Sequence, residues 1–387
     1  MEGRNQEDEG TLEAPLAAIN LDWEERVNNS GRMITAKAVA MNSHDNACVA
    51  GTFHNASTDS LDFFLAKYHE TGAQIYNRTW GGKKNDTCND IAIDGSDNIY
   101  LVGGAESFGN GSSDVIIVKF TAAGELVWNE TFGRQGWEVA QGVAIDSEGD
   151  ACVTGVSESF DINGDLILLK FDGLGNKAWN VTWKGVDVDV GMSVEVDDFD
   201  NIYVAGHTAS YGGFGANVLV IKFNKTGSEL WNRTWGGDQV DIGTDMVVDA
   251  LNNSYIVGYT NSFQAQGRDM VIMKFNGTGH LEWNFTWGGS STEEAHGITF
   301  THENQSLIVG SKENESNGDL DACLLKINST GSVLWNKTHG TDRDEVGRDI
   351  AVDSKENAWM VGESKLNGKA DQLLLVQFLP IPEDLVL

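Results

Sequence analysis

Carboxylates recurring at a fixed interval are the residues of this chain whose type and spacing could most readily do chemistry. Asp86, Glu138, Asp189, Asp241, Glu293 and Glu345 stand 51 or 52 residues apart, and Asp90, Asp245 and Asp349 repeat four positions further on in three of the copies. A ring of such oxygens suits Ca²⁺, a hard cation that takes roughly six to eight oxygen ligands. The six are therefore the candidate metal ligands, an acidic crown about a central opening. The competing reading is turn chemistry, because a carboxylate at the head of a strand readily accepts backbone N–H groups of its own turn. The spaced Asp/Asn calcium loop closed by a distal Glu is absent.

Residues that break the repetition are the other place to look for chemistry. These are Lys37, His296 and Arg348 near the same runs, His207 after Gly206, Trp137 before Glu138, and His339 where other copies carry an aromatic. The eight histidines show no paired metal-binding spacing. No Gly-x-Ser-x-Gly elbow and no phosphate-cradling glycine loop followed by Lys-Ser/Thr occurs. The sequence thus names no catalytic residue.

Sixteen Asn-x-Ser/Thr triplets occur, and six of them, at Asn77, Asn129, Asn180, Asn232, Asn284 and Asn336, are one repeated site. The residue between Asn and Thr varies freely while the pair itself recurs. Two readings fit: N-glycosylation of an exposed strand, or a polar pair on one strand face bonded to a neighbouring strand.

What positions these residues is a repeat. Gly51, Gly103, Gly155, Gly206, Gly258, Gly310 and Gly362 fall 51 or 52 residues apart, each with an aromatic 27 or 28 residues before it. One copy reads as four short β runs, 142–146, 151–155, 165–171 and 178–183, separated by turn residues and without helical periodicity. Four strands per unit repeated seven times predicts an all-β, seven-bladed propeller of four-stranded antiparallel blades. The outer-strand aromatics begin at Trp23 and none follows Gly362. The last blade therefore lacks a fourth strand, and the strand around Trp23 is expected to pair with residues 373–378 and close the ring. The tryptophans spaced four apart, such as Trp179 and Trp183, read as wedges between blades.

The expected organisation is an acidic, disordered tail over 1–20, the propeller over 21–378, and a linker over 379–387. Acidic residues outnumber basic ones 58 to 26, for a net charge of −32, which argues against a nucleic-acid partner. No apolar run is long enough to span a membrane. The apolar run 16–19 is too short, and its flank too acidic, for an export signal, so an exterior location requires a leader that is not in this chain. Cys48, Cys88, Cys152 and Cys323 read as small buried hydrophobes, with a Cys48–Cys88 bridge between adjacent blades as the alternative.

The run Trp-Asn-Arg-Thr-Trp-Gly-Gly (231–237), with Val-Val-Asp (247–249), Tyr-Ile-Val-Gly (255–258) and Met-Val-Ile-Met-Lys-Phe (270–275), resembles the seven-bladed beta-propeller repeat (SBBP) of archaeal and bacterial surface proteins. The resemblance covers roughly 22–378 and implies an extracellular or cell-surface propeller, one module of a larger surface protein, with no catalytic residues to carry over. The Gly-His and Trp-Asp signatures of WD40 repeats are missing. The functional expectation is an exterior glycoprotein module that binds or scaffolds a protein or glycan on one ring face, with no cofactor. The alternative is an enzyme acting on polysaccharide at the channel mouth, assisted by Ca²⁺ in the acidic crown.

Overall fold

The structure, a computed structural model, describes residues 4–6, 21–27, 34–159, 163–211, 215–263, 265–366 and 369–379. Most of the expected acidic tail (1–3 and 7–20) and most of the expected C-terminal linker (380–387) lie outside the described residues.

Seven four-stranded antiparallel sheets surround a central channel, each a simple meander from an inner strand outward. Blade 3 is typical: Glu138–Ile145 lines the channel, followed by Ala151–Ser157, Asp165–Phe171 and, outermost, Lys177–Trp183. The second and third strands are covered on both faces and so read as near-continuous apolar runs, as in Val115-Ile-Ile-Val118, whose side chains are fully buried. The outermost strands are mostly exposed, with the aromatic residues half-buried, as in Leu126–Phe132. Blade 7 takes its outer strand from the other end of the chain. Leu21–Val27 runs antiparallel to Lys369–Phe378, with Leu21 opposite Phe378 and Val27 opposite Leu373. The ring closes as the repeat phase requires. Arg4–Gln6 adds a short parallel strand to the edge of blade 5, opposite Phe285, Thr286 and Trp287.

The core lies between blades rather than within them. Leu65 of blade 1 shares one cluster with Leu101 and Ile116 of blade 2, and Val49 of blade 1 shares another with Val361 and Leu375 of blade 7. No blade can bury its faces alone, which is the physical meaning of the repeat. Outer-strand tryptophans add a second tie. Trp128 lies over Gly175 of the next blade and its Nε1 donates to Gly173 O at 3.2 Å. Gly175 has φ 91°, so that turn needs glycine both for its backbone and for the ring laid on it.

Of the lysines ending the third strands, Lys67, Lys119, Lys170 and Lys222 are buried, and the last two form close ion pairs. Lys170 Nζ lies 2.5 Å from Asp146 and Lys222 Nζ 3.1 Å from Asp197. All four cysteines are free and buried, and burial raises each thiol pKa, that of Cys48 to about 12.

Candidate functional site at the channel mouth

Every inner strand carries a β-bulge at its fourth or fifth residue, and the recurring glycines explain it. A Cβ on Gly103 would lie 1.8 Å from Thr87 O, on Gly258 1.9 Å from Ile242 O, and on Gly362 2.0 Å from Val346 O. The other four meet the same carbonyl at 1.9–2.0 Å. The inner strand crowds its neighbour there, and only a residue without a side chain admits it. The extra residue in each bulge opposes no partner on the second strand.

Those seven bulged residues are Lys37, Asn89, Gln141, Met192, Thr244, His296 and Arg348, all of different types. Together they line a cavity of about 100 Å³ at the centre of the ring. Around them the backbone repeats and the side chains do not. Lys37, His296 and Arg348 were legible in the sequence as departures from symmetry. Asn89, Gln141, Met192 and Thr244 were missed. The signal that could have found them is a column three residues after the first carboxylate, in which no residue type occurs twice.

The ring is electrically lopsided. Arg348 grips Glu363 through Nε at 2.8 Å and through a second guanidinium nitrogen, and Lys365 Nζ approaches the same oxygen at 3.4 Å. Burial works against ionised Glu363, but Arg348, Lys37 and Lys365 outweigh it and hold its pKa below the usual range. Lys37 has no hydrogen-bond or ion-pair partner among the described residues. Burial first, then Arg348, lowers its pKa. His296 Nε2 lies 3.8 Å from Glu294, and burial, reinforced by these cations, pushes its pKa down to about 3, so the imidazole is neutral at physiological pH. Glu294 is itself paired with Arg268, which stacks over Tyr259 at 4.7 Å.

One residue deeper, Asp90, Asp245 and Asp349 tie neighbouring blades together. Asp90 accepts the Val143 N–H at 2.8 Å, Asp245 that of Ile298 at 2.8 Å, and Asp349 that of Val39 at 2.7 Å, across the seam where the ring closes. Their opposite numbers in the receiving blades are Gly142, Gly297 and Ala38, small enough for the carboxylate to reach past. Burial raises the pKa of Asp90 to about 8, of Asp245 to about 6, and that of Asp349 well above the usual carboxylate range. Glu195, on the same wall, rises to about 8 for the same reason.

The six carboxylates of the expected crown occupy one equivalent place per blade and do not meet in the channel. Asp86 accepts the Gly82 and Ser107 N–H groups at 2.7 and 3.1 Å, and Asp189 accepts the Gly185 N–H at 2.9 Å and the Ser210 hydroxyl at 3.0 Å. Asp241 and Glu345 bind Gly237 N and Thr341 N in the same way, at 2.7 and 2.9 Å. Glu138 and Glu293 reach Arg134 N and Gly289 N at 3.2 and 3.3 Å. All six are fully buried. Among the described residues, no three His, Cys, Asp or Glu side chains gather closely enough to hold a metal ion.

Of the repeated Asn-x-Thr sites, Asn77, Asn129, Asn180, Asn232 and Asn336 are exposed on outermost strands. Asn284 is half-buried, and its Thr286 is buried, where Arg4–Gln6 pairs along the edge of blade 5. His207 lies in the second strand of blade 4, its Nδ1 without a hydrogen bond, and burial lowers its pKa to about 4. Trp137 is 40% exposed in the linker before blade 3. His339 closes the outer strand of blade 6.

Fold and site together define a seven-bladed β-propeller with a differentiated channel. No protein-family model matches the chain, and no curated protein does. Solved structures share the architecture at low identity. A catalytically inactive virginiamycin B lyase from Staphylococcus aureus with quinupristin matches with a TM-score of 0.56 and 10% identity, over 92% of this chain and 99% of that one. Polysaccharide lyase Uly1 matches at 0.53 and 10%, over 89% and 90%. BBS1N in complex with ARL6DN matches at 0.54 and 9%, over 93% and 98%. The likeness is one of fold.

Proposed function

We propose that this chain is an exterior binding module, of the SBBP type its repeats resemble, whose ligand sits at the channel mouth. The observation that carries this is the bulged ring: seven equivalent positions, held by one repeated backbone device, present seven different side chains to one cavity. Structural positions in this chain recur, so a column without recurrence marks a surface shaped by something outside the fold. Five exposed Asn-x-Thr sites on the outer strands fit glycosylation at the rim, which leaves the ring faces for contact. Propellers of this shape carry protein partners, as the BBS1N complex does.

The test is binding to an immobilised panel of acidic and neutral glycans, comparing the intact chain with Gln141→Ala in the ring and Glu148→Ala on a turn at the opposite face. Binding lost with the first and kept with the second supports the reading. Equal binding by both places the contact elsewhere. A second reading, an enzyme acting on polysaccharide at the same mouth, draws on the convergence of unlike groups, with neutral His296 close to Glu294. It predicts release of new chain ends, and failure to release any from the glycans that bind counts against it.

A further inference from the structure

We infer that the sector of the mouth formed by Lys37, Arg348 and Lys365 holds the carboxylate of a small sugar acid; this rests on the channel mouth being the ligand site. Within this sector three cations share one carboxylate, Glu363, which leaves a local positive surplus in a chain of net charge −32, while Asp90, Asp245 and Asp349 line the deeper wall of the same cavity and are engaged by backbone N–H groups. Such a surplus is maintained against the field of the rest of the molecule. Lys37 is the sharpest part of it. Its ammonium is half-buried and makes no hydrogen bond or ion pair with any described residue, drawing only longer-range attraction from Glu363, an arrangement that a bound anion improves. The Arg348 guanidinium, already oriented by Glu363, presents its remaining donors in a planar fork that matches a carboxylate.

The body of the ligand is indicated by the opposite arc. Gln141 makes no side-chain hydrogen bond to any described residue, and Asn89 spends only its Nδ2, on Ala140 O at 2.8 Å. Unengaged neutral amides facing a polar cavity suit hydroxyl groups, which both give and accept. The size of the ligand follows from charge and space. About 100 Å³ takes a carboxylate and the adjoining edge of one sugar ring, with the rest of the ring extending outward and no room for a second charged unit, and the net charge of −32 repels a long polyanion. A single uronate, free or at the end of a short oligosaccharide, meets all these conditions. An acidic peptide meets only the first.

Calorimetric titration of the full chain with glucuronate, galacturonate, glucose and N-acetylaspartate tests this, alongside Lys37→Gln, Lys37→Arg and Gln141→Ala. The expected result is millimolar or tighter binding of a uronate and binding at least about tenfold weaker for glucose and N-acetylaspartate. Lys37→Gln should weaken the uronate about tenfold with a melting temperature unchanged or raised, because it removes a half-buried charge that makes no direct ion pair, and Lys37→Arg should retain most of the affinity. A lowered melting temperature in Lys37→Gln with unchanged affinity makes Lys37 structural and overturns the inference. N-acetylaspartate bound as tightly as a uronate overturns the sugar assignment in favour of acidic peptide. Glucose bound as tightly as glucuronate and lost in Gln141→Ala overturns the carboxylate but keeps the channel-mouth reading. No uronate bound at about 10 mM overturns the inference, and binding that survives in both Lys37→Gln and Gln141→Ala overturns the channel-mouth reading as well.

Discussion

Replacing Gly258 by alanine puts the central structural argument at risk. The new Cβ would sit 1.9 Å from Ile242 O and 2.9 Å from the carbonyl carbon. Both are backbone atoms, so no flexible side chain can yield. Restoring ordinary contact requires the inner and second strands to part by more than about 1 Å, which a ladder spaced at about 4.8 Å does not survive locally. About two backbone hydrogen bonds beside the Gly243–Asp245 bulge are then lost. With net contributions of about 1 kcal/mol each and a further desolvation cost for the groups left unpaired, the penalty is about 3–5 kcal/mol. For 387 residues, an unfolding entropy of roughly 2.1 cal/mol/K per residue converts this to a fall of about 4–6 °C in melting temperature. The control is Gly95→Ala, in a turn where an added Cβ meets nothing within 4 Å, which should melt within about 1 °C of the parent. Differential scanning calorimetry reads both. If Gly258→Ala melts like Gly95→Ala, the glycines do not exist to admit the bulges, and the account of how the ring residues are presented fails with them.

Asp90 titrates high in the folded chain, near 8, because burial opposes its charge. Folded protein then binds more protons than unfolded between about pH 4 and 8, so this contribution to stability is lost as pH rises through that window. The melting temperature of Asp90→Asn relative to the parent should accordingly become more favourable from pH 5 to pH 8.5; a difference that does not change with pH refutes the assignment. Deleting residues 1–27 removes the strand paired with Lys369–Phe378 and should lower the melting temperature far more than deleting 1–18, whereas equal values would mean the ring does not depend on that closure. Glycopeptide mapping of protein from its native source should find sugar at Asn77, Asn129, Asn180, Asn232 or Asn336 and least at half-buried Asn284. Bare asparagines at all six would leave the exterior reading without its support. Asp349→Ala strips the Val39 N–H of its acceptor at the closing seam, and chemical denaturation should show a loss of about 1–3 kcal/mol; an unchanged midpoint would mean the seam does not need this bond.

The sequence by itself determined the architecture, and the reason is periodicity. Four β runs between turn signals, repeated with a glycine every 51 or 52 residues, leave faces that only identical neighbours can cover. The phase of the tryptophans, starting at Trp23 and ending before Gly362, determined how the ring closes, because strand pairing follows from which strand is missing. The tertiary structure decided where the chemistry lies. Asp86 and Asp90 are four residues apart, and on a regular strand would share a face. The bulge between Cys88 and Asp90 inserts one residue and reverses the alternation, so Asp86 binds its own blade's backbone, Cys88 packs in the core, and Asn89 and Asp90 both face the channel. A one-residue shift set by a carbonyl crowding a distant glycine is a contact between strands, and spacing along the chain does not contain it. The gathering of Lys37 from the first blade with Arg348 and Lys365 from the last is likewise made only when the two ends of the chain meet.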